Sequence, residues 1–222
     1  MDEHRLHIAP AGNPHATILI VPPLFDEANR LRRTLVLAMR ALADAGFAAL
    51  MPDLPGQNES LVPLDAVDLA CWQRALAGIA AGIDGPVLIA SVRGGGLIDH
   101  EAKAAGWWRL APVSGSSLLR TLMRARVAAD REMGTPSSLD SLQADARTAP
   151  LLLAGNLLSP AMIGQLDAAE AQPVDPLRTV TLGAGGITGT PLWLRAEPGE
   201  DAAMAAAIAA DIAAWSASCG VI

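Results

Sequence analysis

Short apolar runs and helically spaced apolar stripes alternate along the first half of the chain. Thr17–Val21 is an unbroken aliphatic and β-branched run stopped by Pro22-Pro23, which predicts a buried strand. From Asn29 to Ala45 the positions Leu31, Leu35, Leu37, Met39 and Leu42 follow helical spacing, and Gly46 ends the helix. Phe47–Met51 predicts the next strand, Pro52–Ser60 a loop containing Gly and Pro, and Asp65–Ile83 a second helix. Pro86–Ala90 is a third buried strand. The glycine run Gly94–Gly96 follows it, with a helix expected to about Ala105, and Trp108–Val113 is a fourth strand. Continuous apolar strands alternating with helices belong to a parallel sheet covered on both faces.

At Ser114 the alternation stops. Up to about Asp175 no strand is evident, and helical stretches at Ser117–Met133 and Ser159–Ala171 flank the polar segment Gly134–Thr148. Arg178–Leu182 and Pro191–Arg195 predict the last two strands, and Glu200–Ser216 the closing helix. The expected architecture is one α/β domain over residues 1–222, with a mostly parallel sheet, helices on both faces and a small helical cap inserted at about 114–175.

Composition adds mainly exclusions. With 51% apolar and 18% charged residues the chain is not disordered. A formal net charge of −7 argues against nucleic acid as a partner, because neutralising phosphates takes clustered basic charge. Cys71 and Cys219 are too few and too far apart to predict a disulfide framework or a zinc site, so no metal and no cofactor are expected. The N-terminal MDEHRLHIAP has no apolar core of a secretory signal, and Asp211 interrupts the most apolar stretch, Ala202–Ala217. The expectation is a cytoplasmic protein without a membrane span.

The glycine run marks the position where chemistry is expected. A tight turn presenting a nucleophile between strand and helix needs small residues two positions to either side of its apex, since the strained backbone leaves no room for bulk. With Ser91 at the apex those flanks would be Ile89 and Arg93, both bulky; with Arg93 they are Ser91 and Gly95, both small. Arg93 therefore takes the place where an α/β hydrolase carries its serine. An arginine stays protonated and is no nucleophile, but beside the N–H groups of a helix start it suits a carboxylate or phosphate.

The other parts of a triad are also missing from their places. All four histidines, His4, His7, His15 and His100, precede the last predicted strands, and Glu197 stands where a general-base histidine would follow them. Arg93 and Glu197 are expected to face each other and pair. Backbone N–H groups near Leu24 and Phe25, with that of Gly94, would make an oxyanion hole. The segment Asp53–Ser60 matches a D-x-x-G-x-G-x-S turn except for Asn58 at the second glycine, and reads as scaffold. The expected ligand-binding set is Ser91, Arg93, Gly94, Leu24, Phe25 and Glu197, with no catalytic residue assigned.

Several segments together resemble the exosortase A system-associated hydrolases of bacterial exopolysaccharide gene clusters, most closely the second type. They are Pro22–Asn29 with Arg32-Arg33, Pro52–Gly56, Val92–Gly95, Pro112–Gly115 with Leu118–Arg126, Leu158–Ala161 and Glu197–Asp201. The resemblance implies an α/β-hydrolase fold, an exopolysaccharide or protein-sorting setting, and an arginine at the elbow as a family feature. Three functions compete. One is non-hydrolytic binding of a small anionic or acyl ligand with Arg93 as anchor. The alternative is an esterase or thioesterase with a rearranged site, in which Glu197 activates water. The third is an interaction protein or homo-oligomer that docks through Arg120, Arg124, Arg126 and Arg131.

Overall fold

The structure is a computed structural model describing residues 3–183 and 185–221. Its strands are β1 (Arg5–Ile8), β2 (Thr17–Val21), β3 (Ala48–Pro52), β4 (Val87–Val92), β5 (Gly106–Leu110), β6 (Leu151–Leu153), β7 (Asn156–Leu158) and β8 (Leu177–Val180). Six of them form one sheet in the order β1-β3-β2-β4-β5-β8, in which only β1 runs antiparallel. The helices are α1 (Asp26–Asp44), α2 (Leu69–Ala81), α3 (Gly115–Glu132), α4 (Leu139–Asp145), α5 (Pro160–Ala168) and α6 (Ala202–Ser216).

Strand alternation divides the core into two layers. Ile18, Ile20, Leu88, Ala90, Val92 and Trp108 face α1 and α6. Their neighbours Leu19, Val21, Val87, Ile89 and Trp107 face α2 and the segment between β5 and β8. Because both faces are covered, β2 and β4 are buried at every position, which is why they read as continuous apolar runs.

Five elements differ from the expectation, one being α4, a helix capped by Ser138 inside the polar segment Gly134–Thr148. The edge strand β1 has the half-buried alternation of Arg5-Leu6-His7-Ile8, a period-2 signal too short and polar to stand out in sequence. Leu151–Leu158, expected to lack strands, is a hairpin turning on Ala154 (φ 47°) and Gly155 (φ 80°), the two positive φ values that a tight two-residue turn requires. Pro191–Arg195 is no strand but a 3-10 turn, Leu192–Leu194, with Leu192 and Trp193 buried. Glycine disfavours helix by about 1 kcal/mol per residue. With three in a row, the expected helix after β4 is only a 3-10 turn, Arg93–Leu97.

Helix α6 satisfies the length and apolarity of a membrane span through Cys219, and here its Met204, Ala205, Ile208 and Ile212 face the core. Its single charge, Asp211, anchors it to the sheet. Arg178 donates Nε and Nη2 to the two carboxylate oxygens at 2.7 and 2.6 Å, and the Trp108 indole N–H donates at 2.7 Å. Arg178 first, then Trp108, holds the Asp211 carboxyl below its ordinary 3.8. A carboxylate with a depressed folded pKa stabilises the fold above its unfolded pKa and loses that contribution as pH falls through the folded one. Asp211→Asn should therefore be less stable than wild type at neutral pH, and the gap should close as pH drops below about 4. Urea denaturation across this range is the measurement, and a gap independent of pH would refute the assignment.

Candidate functional site

Neighbouring parallel strands release their C-terminal ends at the same edge of a sheet. Val21 of β2 is in register with Ser91 of β4, so the loop before α1 and the turn after β4 emerge side by side. Backbone geometry changes abruptly there, from Val92 at φ −120° to Arg93 at φ 54°. Only glycine fits two residues on: a Cβ on Gly95 would lie 2.6 Å from the Val21 carbonyl oxygen and 2.7 Å from that of Pro22. Arg93 thus occupies the apex of the turn, as its small flanks predict, at the cost of a left-handed backbone that disfavours a side chain by about 1–2 kcal/mol.

All three nitrogens of the Arg93 guanidinium are engaged. Nε and Nη2 donate to Oε2 and Oε1 of Glu27 at 3.1 and 3.2 Å, and Nη1 donates to the Ala111 carbonyl at 3.3 Å. The Trp193 ring lies 4.8 Å away, within cation–π range. Glu27 is buried in the first turn of α1, where the helix dipole favours a negative charge. This corrects the expected pairing with Glu197, which is exposed and takes none of these bonds. The first turn of α1 leaves the sheet beside the elbow and so supplies Glu27, while the Leu192–Leu194 turn brings the Trp193 ring against the guanidinium.

Leu24 and Gly94 do meet. A Cβ on Gly94 would lie 3.2 Å from Leu24 Cγ and 3.1 Å from Leu118 Cδ2, so aliphatic side chains occupy the space above it. Leu24 and Phe25 are 1% and 3% exposed, and Phe25 packs against Trp72 with ring centroids 5.4 Å apart. Leu24 and Leu118 thus wall the turn on the side that a Gly94 side chain would take.

Ser91 is also spent. Its hydroxyl donates to Asp99 Oδ2 at 2.7 Å, and Arg109 grips the same carboxylate through Nε at 2.9 Å and Nη2 at 2.6 Å. Asp99 and Arg109 are 0% and 3% exposed, and Arg109 Nη1 also donates to the Gln172 carbonyl at 2.8 Å. Together they replace the missing elbow helix with a buried polar cluster. Glu27, Trp193, Asp99 and Arg109 were not foreseen. Glu27 was findable, because adjacent parallel strands place the first turn after β2 beside the turn after β4.

Two cavities lie nearby. One, about 240 Å³, sits between α3, α4 and α5, with Leu119, Met123 and Ile163 as apolar wall and Gln143, Arg147 and Asp167 as polar lining. The other, about 360 Å³, lies between the start of α1, the Asp53–Ser60 turn and the β6–β7 hairpin. Among the described residues, no group of three or more His, Cys, Asp or Glu is placed to hold a metal ion.

No family model matches the chain, and no curated protein matches it in sequence. Among solved structures it is similar to Est1E of Butyrivibrio proteoclasticus bound to ferulic acid, 16% identical, covering 81% of this chain and 74% of that one, TM-score 0.51. It is similar also to mouse alpha/beta hydrolase domain-containing protein 10, 13% identical, covering 80% and 72%, TM-score 0.51. A protein of Agrobacterium vitis S4 is 18% identical, covering 80% and 71%, with the same TM-score of 0.51. The fold is the α/β-hydrolase fold.

Removing one partner of a buried ion pair leaves the other uncompensated, at about 3–5 kcal/mol, whereas apolar replacement of both is often near neutral. Arg93 keeps 17% side-chain exposure, so Glu27→Ala should cost toward the lower end of that range. Arg93→Met/Glu27→Leu should recover most of the loss in urea denaturation. Additive losses in the double variant would show the two charges to be uncoupled.

Proposed function

We propose that this chain is an α/β-hydrolase-fold protein that binds a small acyl or anionic ligand beneath its helical cap without hydrolysing it, in an exopolysaccharide or exosortase setting. The observation that carries the reading is Arg93 at the elbow apex with Nε and Nη2 of its guanidinium on the Glu27 carboxylate. A protonated arginine cannot attack a carbonyl. The one serine close by in sequence, Ser91, is 1% exposed with its hydroxyl given to Asp99. Glu197 as an activator of water finds no support either, since Arg93 is bonded elsewhere.

With the elbow cation engaged and Leu24 and Leu118 over Gly94, the ligand's place moves from the elbow to the cavity between α3, α4 and α5. At about 240 Å³ it falls just below the usual range of ligand pockets, which suits a short acyl chain. Leu119, Met123 and Ile163 would take the chain, and the exposed guanidinium of Arg147 a carboxylate or phosphate head. The exopolysaccharide setting rests on the sequence resemblance.

Two measurements test this. Fluorophosphonate probes should leave the protein unlabelled and p-nitrophenyl esters unturned; stoichiometric labelling lost in Ser91→Ala would restore a serine mechanism. Butanoate, hexanoate or hexyl phosphate should raise the melting temperature, and Arg147→Gln should weaken that binding about tenfold. No stabilisation by any of the three would remove the ligand assignment.

A further inference from the structure

The 360 Å³ cleft has a different chemistry. It is bordered by three tight turns from distant parts of the chain, each holding residues at positive φ: Phe25 at 58°, Asn58 at 48° and Ala154 at 47°. Asp26, Asn29, Gln57, Asn58 and Asn156 line it, four carboxamides and one carboxylate. The turn Asp53–Ser60, which reads in sequence as scaffold, supplies two of them. Its shape is fixed from within, by Asn58 Nδ2 donating to Asp53 at 2.7 Å and the Gly56 N–H donating to Ser60 Oγ at 2.9 Å.

Much of the hydrogen-bonding capacity is unspent. Asn58 uses its amide nitrogen on Asp53, and Asn156 uses its own on Asp26 at 3.2 Å and Ala154 at 2.9 Å, which leaves both amide oxygens as acceptors. The side chains of Asn29 and Gln57 enter no hydrogen bond among the described residues, and each offers a donor and an acceptor. The bond from Asn156 to Asp26 ties the hairpin to α1, so the cleft straddles the junction of sheet core and insertion.

This lining selects by exclusion. An anion would meet the Asp26 carboxylate and several amide oxygens, and no cation lines the cleft to receive it. A cation would find one carboxylate already shared with Arg30 at 3.5 Å and Asn156 at 3.2 Å. An apolar ligand would find little surface, because Phe25 is 3% exposed and turned into the core. A molecule presenting several hydroxyls, each both donor and acceptor, matches carboxamides without bringing charge, and the volume admits a monosaccharide-sized group.

We propose that this cleft binds a neutral polyhydroxyl ligand, a sugar ring or the end of a glycan. Asn29 and Gln57 donate and accept, the Asn58 and Asn156 amide oxygens accept, and Asp26 accepts a hydrogen bond from a hydroxyl at the α1 end. The site is separate from the cap cavity and does not rest on the function proposed for it.

The test is amide chemical-shift titration of the ¹⁵N-labelled protein with D-glucose, D-galactose, maltose and glycerol, beside calcium, putrescine and hexanoate. At least one of the sugars should shift the amides of Gln57, Asn58, Gly155 and Asn156 saturably, with a millimolar Kd. Asn29→Ala/Gln57→Ala removes side chains with no internal bonds, so its spectrum should otherwise match wild type while sugar affinity falls at least about tenfold. The proposal is overturned by the absence of saturable shifts with all four polyols, by calcium or putrescine shifting these amides in their place, or by unchanged affinity in the double variant. Hexanoate reports separately at Met123 and Ile163, so failure of either site is read independently of the other.

Discussion

The structure turns on the contact of Gly95 with the carbonyl oxygens of Val21 and Pro22. No residue with a Cβ can approach them this closely, so the turn after β4 is pinned against the end of β2. That contact holds Arg93 in its left-handed backbone conformation and aims its side chain at the first turn of α1. Glu27 is there because the loop after β2 must leave the sheet beside the turn after β4. The ion pair is thus a consequence of strand order as much as of charge.

Two charge pairs are then buried on either side of β4. Arg93 with Glu27 lies toward α1, and Arg109 with Asp99 lies in the crossover to β5, where Ser91 shares the Asp99 carboxylate. Burying ions is costly, and each pair is tolerable because all three nitrogens of each guanidinium find an acceptor. Arg93 adds the Ala111 carbonyl and the Trp193 ring; Arg109 adds the Gln172 carbonyl. Both arginines therefore lock chain segments from different parts of the fold, the insertion among them.

The segment between β5 and β8 is fastened to the core in two chemically different ways. Leu118 of α3 packs over Gly94, continuing the apolar layer that α2 begins. Asn156 of the hairpin reaches Asp26 across a polar junction. The apolar attachment sets Leu118 beside Gly94, and the polar one borders the cleft between α1 and the hairpin.

The sequence by itself determined the alternation of strands and helices, the mostly parallel sheet and the register of the elbow, since each depends on local pattern: continuous apolar runs, helical stripes, and small residues two positions from the apex. It determined also that Arg93 stands there, and that arginine is no nucleophile. The expected helix after the elbow is absent because three consecutive glycines oppose it, and Pro191–Arg195 shows that a short apolar run after a proline does not distinguish a strand from a turn. The partner of Arg93 was decided only by the tertiary structure. Glu27 and Glu197 are both glutamates far from position 93 along the chain, and no local pattern prefers one of them. Which of them meets the guanidinium depends on how Trp193 packs and on which strands are neighbours, and both are properties of contacts between residues far apart in sequence.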